Sequence, residues 1–425
     1  MTNFKLLNKS FSQFKVILFV SLFSYSYVVF DNSPFEFYAH YFFYLILIPI
    51  FLFRHGIPKF MLYVFSIPLI VGLIHIILNN NNIFTFIKII GGLSVTILFF
   101  YYIIRELEFS VSLIFSWYIQ FCFILSLIGL IQVLSYNLGF KIGYDYRWIL
   151  NKWGVIEGGL AGIRVNSILS EPTYLATVIS PAMYVALRNI ITNENLFINR
   201  FKSIIIIIIS ILTTSTIGYL GLILSLLLCT ETVRLRYIVF GVLISVFAFS
   251  LAYNYVDDFS QRVNAAKGLW IDSDFKISNT NNSSFVLYNN LHIAQENLKN
   301  YPFFGTGLGS HEIAFKKFSL TKSLIQYDFE FNIKDGNSLF VRLCSETGLV
   351  GLIFILVLLI KGFIYKVDKS NFKMVEHKVI SQSIFVLILL VLIRQGNYML
   401  NGLPLLFLLY YFNSIHYKEK LNHIE

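Results

Sequence analysis

Residues 203–230 read SIIIIIISILTTSTIGYLGLILSLLLCT, and the way they divide decides the fold. Undivided, they make one long tilted membrane helix; broken at Thr213-Thr214-Ser215-Thr216, they make two short helices running in opposite directions. Hydroxyl side chains offer the backbone other hydrogen bonds and Gly218 weakens the helix, so a break belongs there. Charge elsewhere in the chain chooses between the two. Lys and Arg collect in short cytoplasmic loops, while long translocated segments are exempt. With the break, eighteen Lys and Arg fall on one side, from Lys5 and Lys59 through Arg200, Arg234 and Arg236 to the Lys361–Lys378 cluster and Lys420. The short loops opposite keep Lys88 and Arg394. Without it, Arg234 and Arg236 change sides and every later segment inverts. The break is therefore expected, with residues 213–222 in a structural role.

Outward from this hairpin, apolar segments recur at 14–30, 38–53, 60–78, 83–104, 111–136, 169–187, 237–253, 347–364, 379–393 and 402–414, which with 203–213 and 215–230 make twelve. The fold class expected is all-α: a polytopic integral membrane protein with both termini cytoplasmic. The composition agrees, because 56% of the 425 residues are hydrophobic and 13% charged, against about a quarter charged in a soluble domain. Soluble enzyme, nucleic-acid-binding module and disordered scaffold are excluded on that ground. The net charge of +10 does not revive nucleic acid, since the cations lie dispersed between apolar runs with no aromatic-interleaved basic stripe. The basic-then-apolar N-terminus lacks a small-x-small cleavage site and reads as an uncleaved first helix. Cys122, Cys229 and Cys344 show no disulfide or zinc spacing, the histidines show no ligand spacing, and no metal or cofactor is expected.

Three divisions follow: membrane helices one to nine over 1–253, a large outer segment at 254–345, and the last three helices with the tail over 346–425. Nine cations in the outer segment balance nine acids. The shorter outer loop, 137–167, carries Lys141, Arg147, Lys152 and Arg164 against Asp145 and Glu157, and this excess makes it the place for an anion.

Chemistry-bearing residues cluster where these loops meet the bundle. In GIRVNSILSEPTYLA (162–176), Arg164 at the rim of an apolar bundle needs a phosphate, carboxylate or substrate partner. Glu171 is open to two readings, a site carboxylate or a first-turn acid placed by Ser170 and Pro172 at a helix start. YPFFGTGLGSHE (301–312) lacks the spacing of a phosphate loop and reads as a tight turn that brings His311 and Glu312 near the membrane. DGNSLFVRLCSETGLVGL (335–352) puts Asp335, Asn337, Ser338, Arg342 and Glu346 close to the membrane surface, with Asn337 or Ser338 as a cap and Gly348 and Gly351 allowing close helix contact.

The ordered set of Arg164, Glu171-Pro172, the Thr/Ser break at 213–219, Pro302 to Gly309 in a large outer loop, and Asn337-Ser338 through Glu346, Gly348 and Gly351 resembles the Wzy/WaaL superfamily of O-antigen polymerases and O-antigen ligases. The resemblance covers about residues 160–355. It implies a GT-C-like, metal-independent glycosyltransferase of a bacterial cytoplasmic (inner) membrane. Its substrate would be undecaprenyl-diphosphate-linked oligosaccharide in contact with membrane lipid, at the periplasmic face, with a chain-length regulator protein as a further partner. Arg164 is the first choice to hold the diphosphate, with Arg342 and Arg147 behind it and Asn337 beside them. Ligases of the superfamily carry His-Asn where this chain has Gly336-Asn337, which favours the polymerase, transferring the growing glycan to the non-reducing end of another lipid-linked unit in lipopolysaccharide biosynthesis. The general base then lies among Glu346, Glu171, Asp335 and His311, with Glu346 preferred because Glu171 has the capping explanation. The same-family rival is a ligase that transfers glycan to lipid A-core. From another class, a polysaccharide flippase or transporter should show internal repeats and short loops instead of the 254–345 segment.

Overall fold

Within a bilayer each backbone polar group must be satisfied inside its own segment, so long apolar runs become helices. The computed structural model describes residues 2–30, 36–229, 247, 250, 253–255, 257–272, 282–321, 331–368 and 370–422. Helix α1 (Thr2–Phe23) leads into a two-stranded antiparallel ribbon, β1 (Val28–Phe30) with β2 (Phe37–Tyr38), in which Val28 pairs with Tyr38. There follow α2 (Tyr41–His55), α3 (Lys59–Ile77), α4 (Ile83–Glu106), α5 (Val111–Asn137), the single turn α6 (Lys141–Tyr144) and α7 (Pro172–Thr192). The hairpin is α8 (Arg200–Leu212) and α9 (Thr216–Leu228). Helices α10 (Asp257–Trp270), α11 (Asn282–Asn300) and α12 (His311–Phe318) precede α13 (Leu339–Gly362), α14 (Phe372–Arg394) and α15 (Leu403–Asn422). Among the described residues α3, α4, α5, α7, α13 and α14 are long and apolar enough to cross a membrane; α2 and α9 are apolar but shorter. The chain is an all-α membrane protein. Eleven of the twelve expected segments coincide with helices in whole or in part, the first, 14–30, only as far as Phe23 before the chain turns into β1, and the ninth, 237–253, lies almost wholly outside the described residues.

Burial sorts these helices. Of the most apolar window in α7, 78% is buried, and in α14 72%, against 22% in each of α3 and α4. α7 is the central post, packed on α5, α8, α9 and α14, with Ile179, Met183, Ile206, Ile384 and Leu390 in one continuous core. The apolar residues left exposed on α3 and α4, among them Leu62, Tyr63 and Ile87, form a lipid-facing belt.

The run 203–230 is broken where its hydroxyls fall. α8 stops at Leu212, Thr214 has φ +45°, and Ser215 sits by Thr173 at the start of α7, with Oγ and Oγ1 3.5 Å apart. Both α8 and α9 pack along α7, with only Thr213–Ser215 between them. The two helices are thus an antiparallel pair, and Gly218 and Gly221 lie against Ala176, Ser180 and Met183 of α7.

One end of the bundle carries both the N-terminal half of α1 and the end of α15, with His55 bonded to Glu106 and His377 to Asn413. The opposite end gathers residues 24–30, 36–40, 78–82, 138–171, 213–215, 301–321, 331–338 and 395–402. There Asn81 donates to the Leu308 carbonyl (3.0 Å) and Asn80 to the Tyr301 hydroxyl (2.9 Å), so the polar turn 79–82 clamps the large outer segment. That segment gives way to membrane helix earlier than residue 345. Ser338 caps α13 by accepting from Val341 N (3.3 Å), and the polar turn 339–346 is already helical because Arg342 and Glu346 neutralise each other within it.

Candidate functional site

The 154–171 segment has little regular structure, yet it is fastened to α5. Gln132 Oε1 accepts from the backbone N–H of Asn166 (3.3 Å) and Ser167 (3.0 Å), and Gln132 Nε2 donates to Asn166 Oδ1 (2.9 Å). Trp153 Nε1 donates to the Ser167 carbonyl at 2.8 Å. Buried polar groups satisfied in this way fix one chain path. On that path the Arg164 backbone N–H donates to Ile156 O (2.8 Å) and its guanidinium Nε donates to Thr214 Oγ1 (3.1 Å), which ties the loop to the tip of the α8–α9 hairpin.

Glu171 is the N-cap residue of α7, and its backbone carbonyl accepts from Tyr174 N and Leu175 N at 3.1 and 3.2 Å. Its carboxylate makes no capping bond. The side chain is exposed in a recess whose walls push its pKa up by desolvation; Arg394 and Arg164 oppose the rise and Asp335 adds to it. Arg394 ends α14 and Asp335 precedes α13, so charges from three separated parts of the chain act on this carboxylate. Tyr174 senses both carboxylates from one side. Below it a small cavity of about 20 Å³ lies between α5, α7, α14 and α15, lined by Tyr118, Tyr174, Val178, Leu387, Gln395 and Asn401 among others.

The remaining expected site residues lie elsewhere. Arg342 and Glu346 are one helical turn apart and buried, with Nε donating to Oε1 at 2.9 Å. Arg342 also donates to Gly396 O (2.8 Å) and lies 4.2 Å from the centre of the Tyr398 ring, while the Tyr398 hydroxyl donates to Glu346 Oε2 (2.8 Å). Both Glu346 oxygens are therefore occupied, and the pair pins the 395–398 segment to α13. In this structure Arg342 and Glu346 form a clamp on the segment that follows Arg394. Asn337 has φ +57°, its backbone N–H donates to Asp335 Oδ1 (3.1 Å), and Ser338 is the cap.

His311 is buried: Nε2 meets Asn290 Oδ1 at 2.9 Å. The Asn290 amide donates to the carbonyls of Val286 and Phe331, so its oxygen must accept, which puts the proton on Nε2. Burial, with the Arg342 charge adding, pushes its pKa down to about 3, so the ring is neutral. A Cβ on Gly336 would lie 3.1 Å from His311 Nε2, so this imidazole packs against position 336. Arg147 is held bidentately by Asp145 (Nε–Oδ1 2.9 Å, Nη2–Oδ2 2.6 Å), a local pair that lowers the Asp145 pKa and has no contact with Arg164 or Glu171.

The PFFGTGLG turn has its partner in α13. Gly348 breaks that helix at φ +59° and ψ −154°, and the freed groups pair with the turn: Leu349 N with Pro302 O (2.9 Å), Val350 N with Phe303 O (3.0 Å) and Gly307 N with Glu346 O (2.8 Å). Among the described residues no three His, Cys, Asp or Glu side chains are arranged to hold a metal ion. Of the expected residues, Arg164, Glu171 and Asp335 are brought together. Arg394 joins them unforeseen; its one visible signal in the sequence was a cation kept at the margin of a short outer loop. The chain matches no family model and no curated protein.

Proposed function

We propose that this chain is a polytopic membrane glycosyltransferase, a polymerase that moves a glycan from undecaprenyl diphosphate to the non-reducing end of another lipid-linked repeat unit. The observation that carries the reading is the convergence of Arg164, Arg394, Glu171 and Asp335 in a solvent-open recess at one end of an apolar bundle. A sugar activated on a lipid has to be used at the membrane rim, where a departing diphosphate needs fixed cations. Arg164 and Arg394 supply them. The acceptor hydroxyl attacks the anomeric carbon, its proton passes to Glu171, and the bond to the diphosphate oxygen breaks as the arginines take up the developing charge. Glu171 takes the base role from Glu346, because its carboxylate is open and unspent while that of Glu346 is bonded on both oxygens. A carboxyl pKa raised by desolvation suits a base that works near neutral pH.

The reading carries with it twelve spans, both termini on the cytoplasmic side and the recess facing the periplasm. The test is a lipopolysaccharide gel from cells that depend on this chain. Arg164→Ala should abolish the polymer ladder while the protein stays at normal level in the membrane, and Arg164→Lys should keep part of it, because a point charge replaces a bidentate fork. Wild-type ladders from Arg164→Ala remove the site. Loss of single repeats on core, as well as of the ladder, identifies a ligase instead.

A further inference from the structure

Beyond the end of α5 the chain folds back on itself. Phe140 N donates to Ser135 O (2.8 Å), Tyr144 packs edge-on against Tyr136 with ring centres 5.2 Å apart, and a Cβ on Gly143 would lie 2.2 Å from Ser135 Oγ. The next stretch is held as firmly, by the Arg147–Asp145 pair, by Tyr146 against Trp153, and by Asn151 bonded to both Val28 backbone groups. This fixed platform turns apolar residues outward: Leu138 is 82% exposed, Trp148 66%, Ile142 61% and Phe140 58%. Ile131, Leu134 and Leu138 are spaced three and four apart, so the lipid-facing stripe of α5 runs without interruption into the platform. The exposed cations Lys141 and Arg147 lie among these residues.

We infer that residues 138–149 form an interfacial foot, with Leu138, Phe140, Ile142 and Trp148 seated at the boundary between acyl chains and headgroups and Lys141 and Arg147 among the lipid phosphates. The position along the membrane normal fits. The 27 residues of α5 rise about 40 Å, which passes the hydrocarbon core and ends in the headgroup layer. Tryptophan with an apolar body and a polar edge is at home there, and long cations extend their heads toward phosphate. The occupant of this face is the leaflet itself, because the face continues a surface that lipid already covers.

The three native cysteines are buried, so single cysteines introduced by Ile142→Cys and Trp148→Cys can be labelled with a nitroxide in the full chain, with Lys299→Cys on exposed α11 as the benchmark for water. In vesicles of phosphatidylcholine and phosphatidylglycerol, oxygen should relax the labels at 142 and 148 several-fold more than a water-soluble nickel chelate does, with the reverse at 299. Where a variant is lost from the membrane, Phe140→Cys takes its place. Nickel-accessible labels at 142 and 148 overturn the inference. So do labels shielded from both reagents at high protein density that become nickel-accessible on tenfold dilution into lipid, since a second copy would then be the cover.

Discussion

Replacing Gly348 by alanine tests whether the break in α13 and the glycine-rich turn hold each other. At φ +59° and ψ −154° Gly348 lies in a region that residues with a side chain scarcely enter, at a strain of about 1–3 kcal/mol. The added Cβ would meet Gly305 N at 2.6 Å, Pro302 O at 2.7 Å and Phe303 C at 2.8 Å. All three are backbone atoms, so no rotamer change relieves the clash. The turn has to withdraw, which puts its pairing with α13 at risk. Losing two of those hydrogen bonds adds roughly 1 kcal/mol each. The sum is about 3–5 kcal/mol, which for a chain this large lowers Tm by roughly 5 °C. Thermal unfolding in detergent, followed by intrinsic fluorescence, reads this directly. Gly91→Ala is the control: a Cβ there meets nothing within 4 Å in the middle of α4, so its Tm should hold or rise slightly. A Gly348→Ala protein with the Tm of the wild type would refute the interlock.

Glu346→Gln should lower the amount of folded protein, because it leaves the buried Arg342 uncompensated at about 3–5 kcal/mol; Glu171→Gln should leave Tm unchanged and slow polymerisation about a hundredfold. Glu171 acts as a base only when deprotonated and its pKa is raised, so the wild-type rate should climb with pH through that raised value, and an unchanged profile in Glu171→Gln removes it as the base. Arg394→Ala should weaken use of the lipid-linked donor as Arg164→Ala does, read as loss of ladder at normal protein level. Topology reporters fused at Asn282 and Ser370 should give opposite results, and identical results would sink the twelve-span arrangement.

Hydropathy made most helices legible because an apolar run in lipid has few alternatives, and the cation asymmetry located the break at Thr213–Thr216 without any tertiary information. Arg164 and Glu171 fall in one stretch at the edge of an apolar run, which placed both at one rim, although the chain between them is not helical. Spacing could not tell which polar residues near α13 face solvent. Arg342 and Glu346 are four apart, a pattern that serves an ion pair as well as a site, and Tyr398, which completes their burial, comes from another part of the chain. Arg394 reaches Glu171 only because α14 packs along α7, and the pairing of Pro302–Gly307 with the break at Gly348 is invisible until both are placed.

The α8–α9 hairpin also shapes the membrane around it. Thirteen residues in each arm rise about 20 Å, some 10 Å less than the hydrocarbon thickness of an ordinary bilayer. Lipid next to so short a wall compresses, drawing the headgroup plane down toward the tip of the hairpin. Thr214 lies at that tip with the Arg164 guanidinium bonded to it, so a leaflet thinned along this wall would bring its headgroups down toward the recess. On the proposed reading, a donor anchored by a long isoprenoid would then slide sideways into reach of the arginines with its tail still in the bilayer.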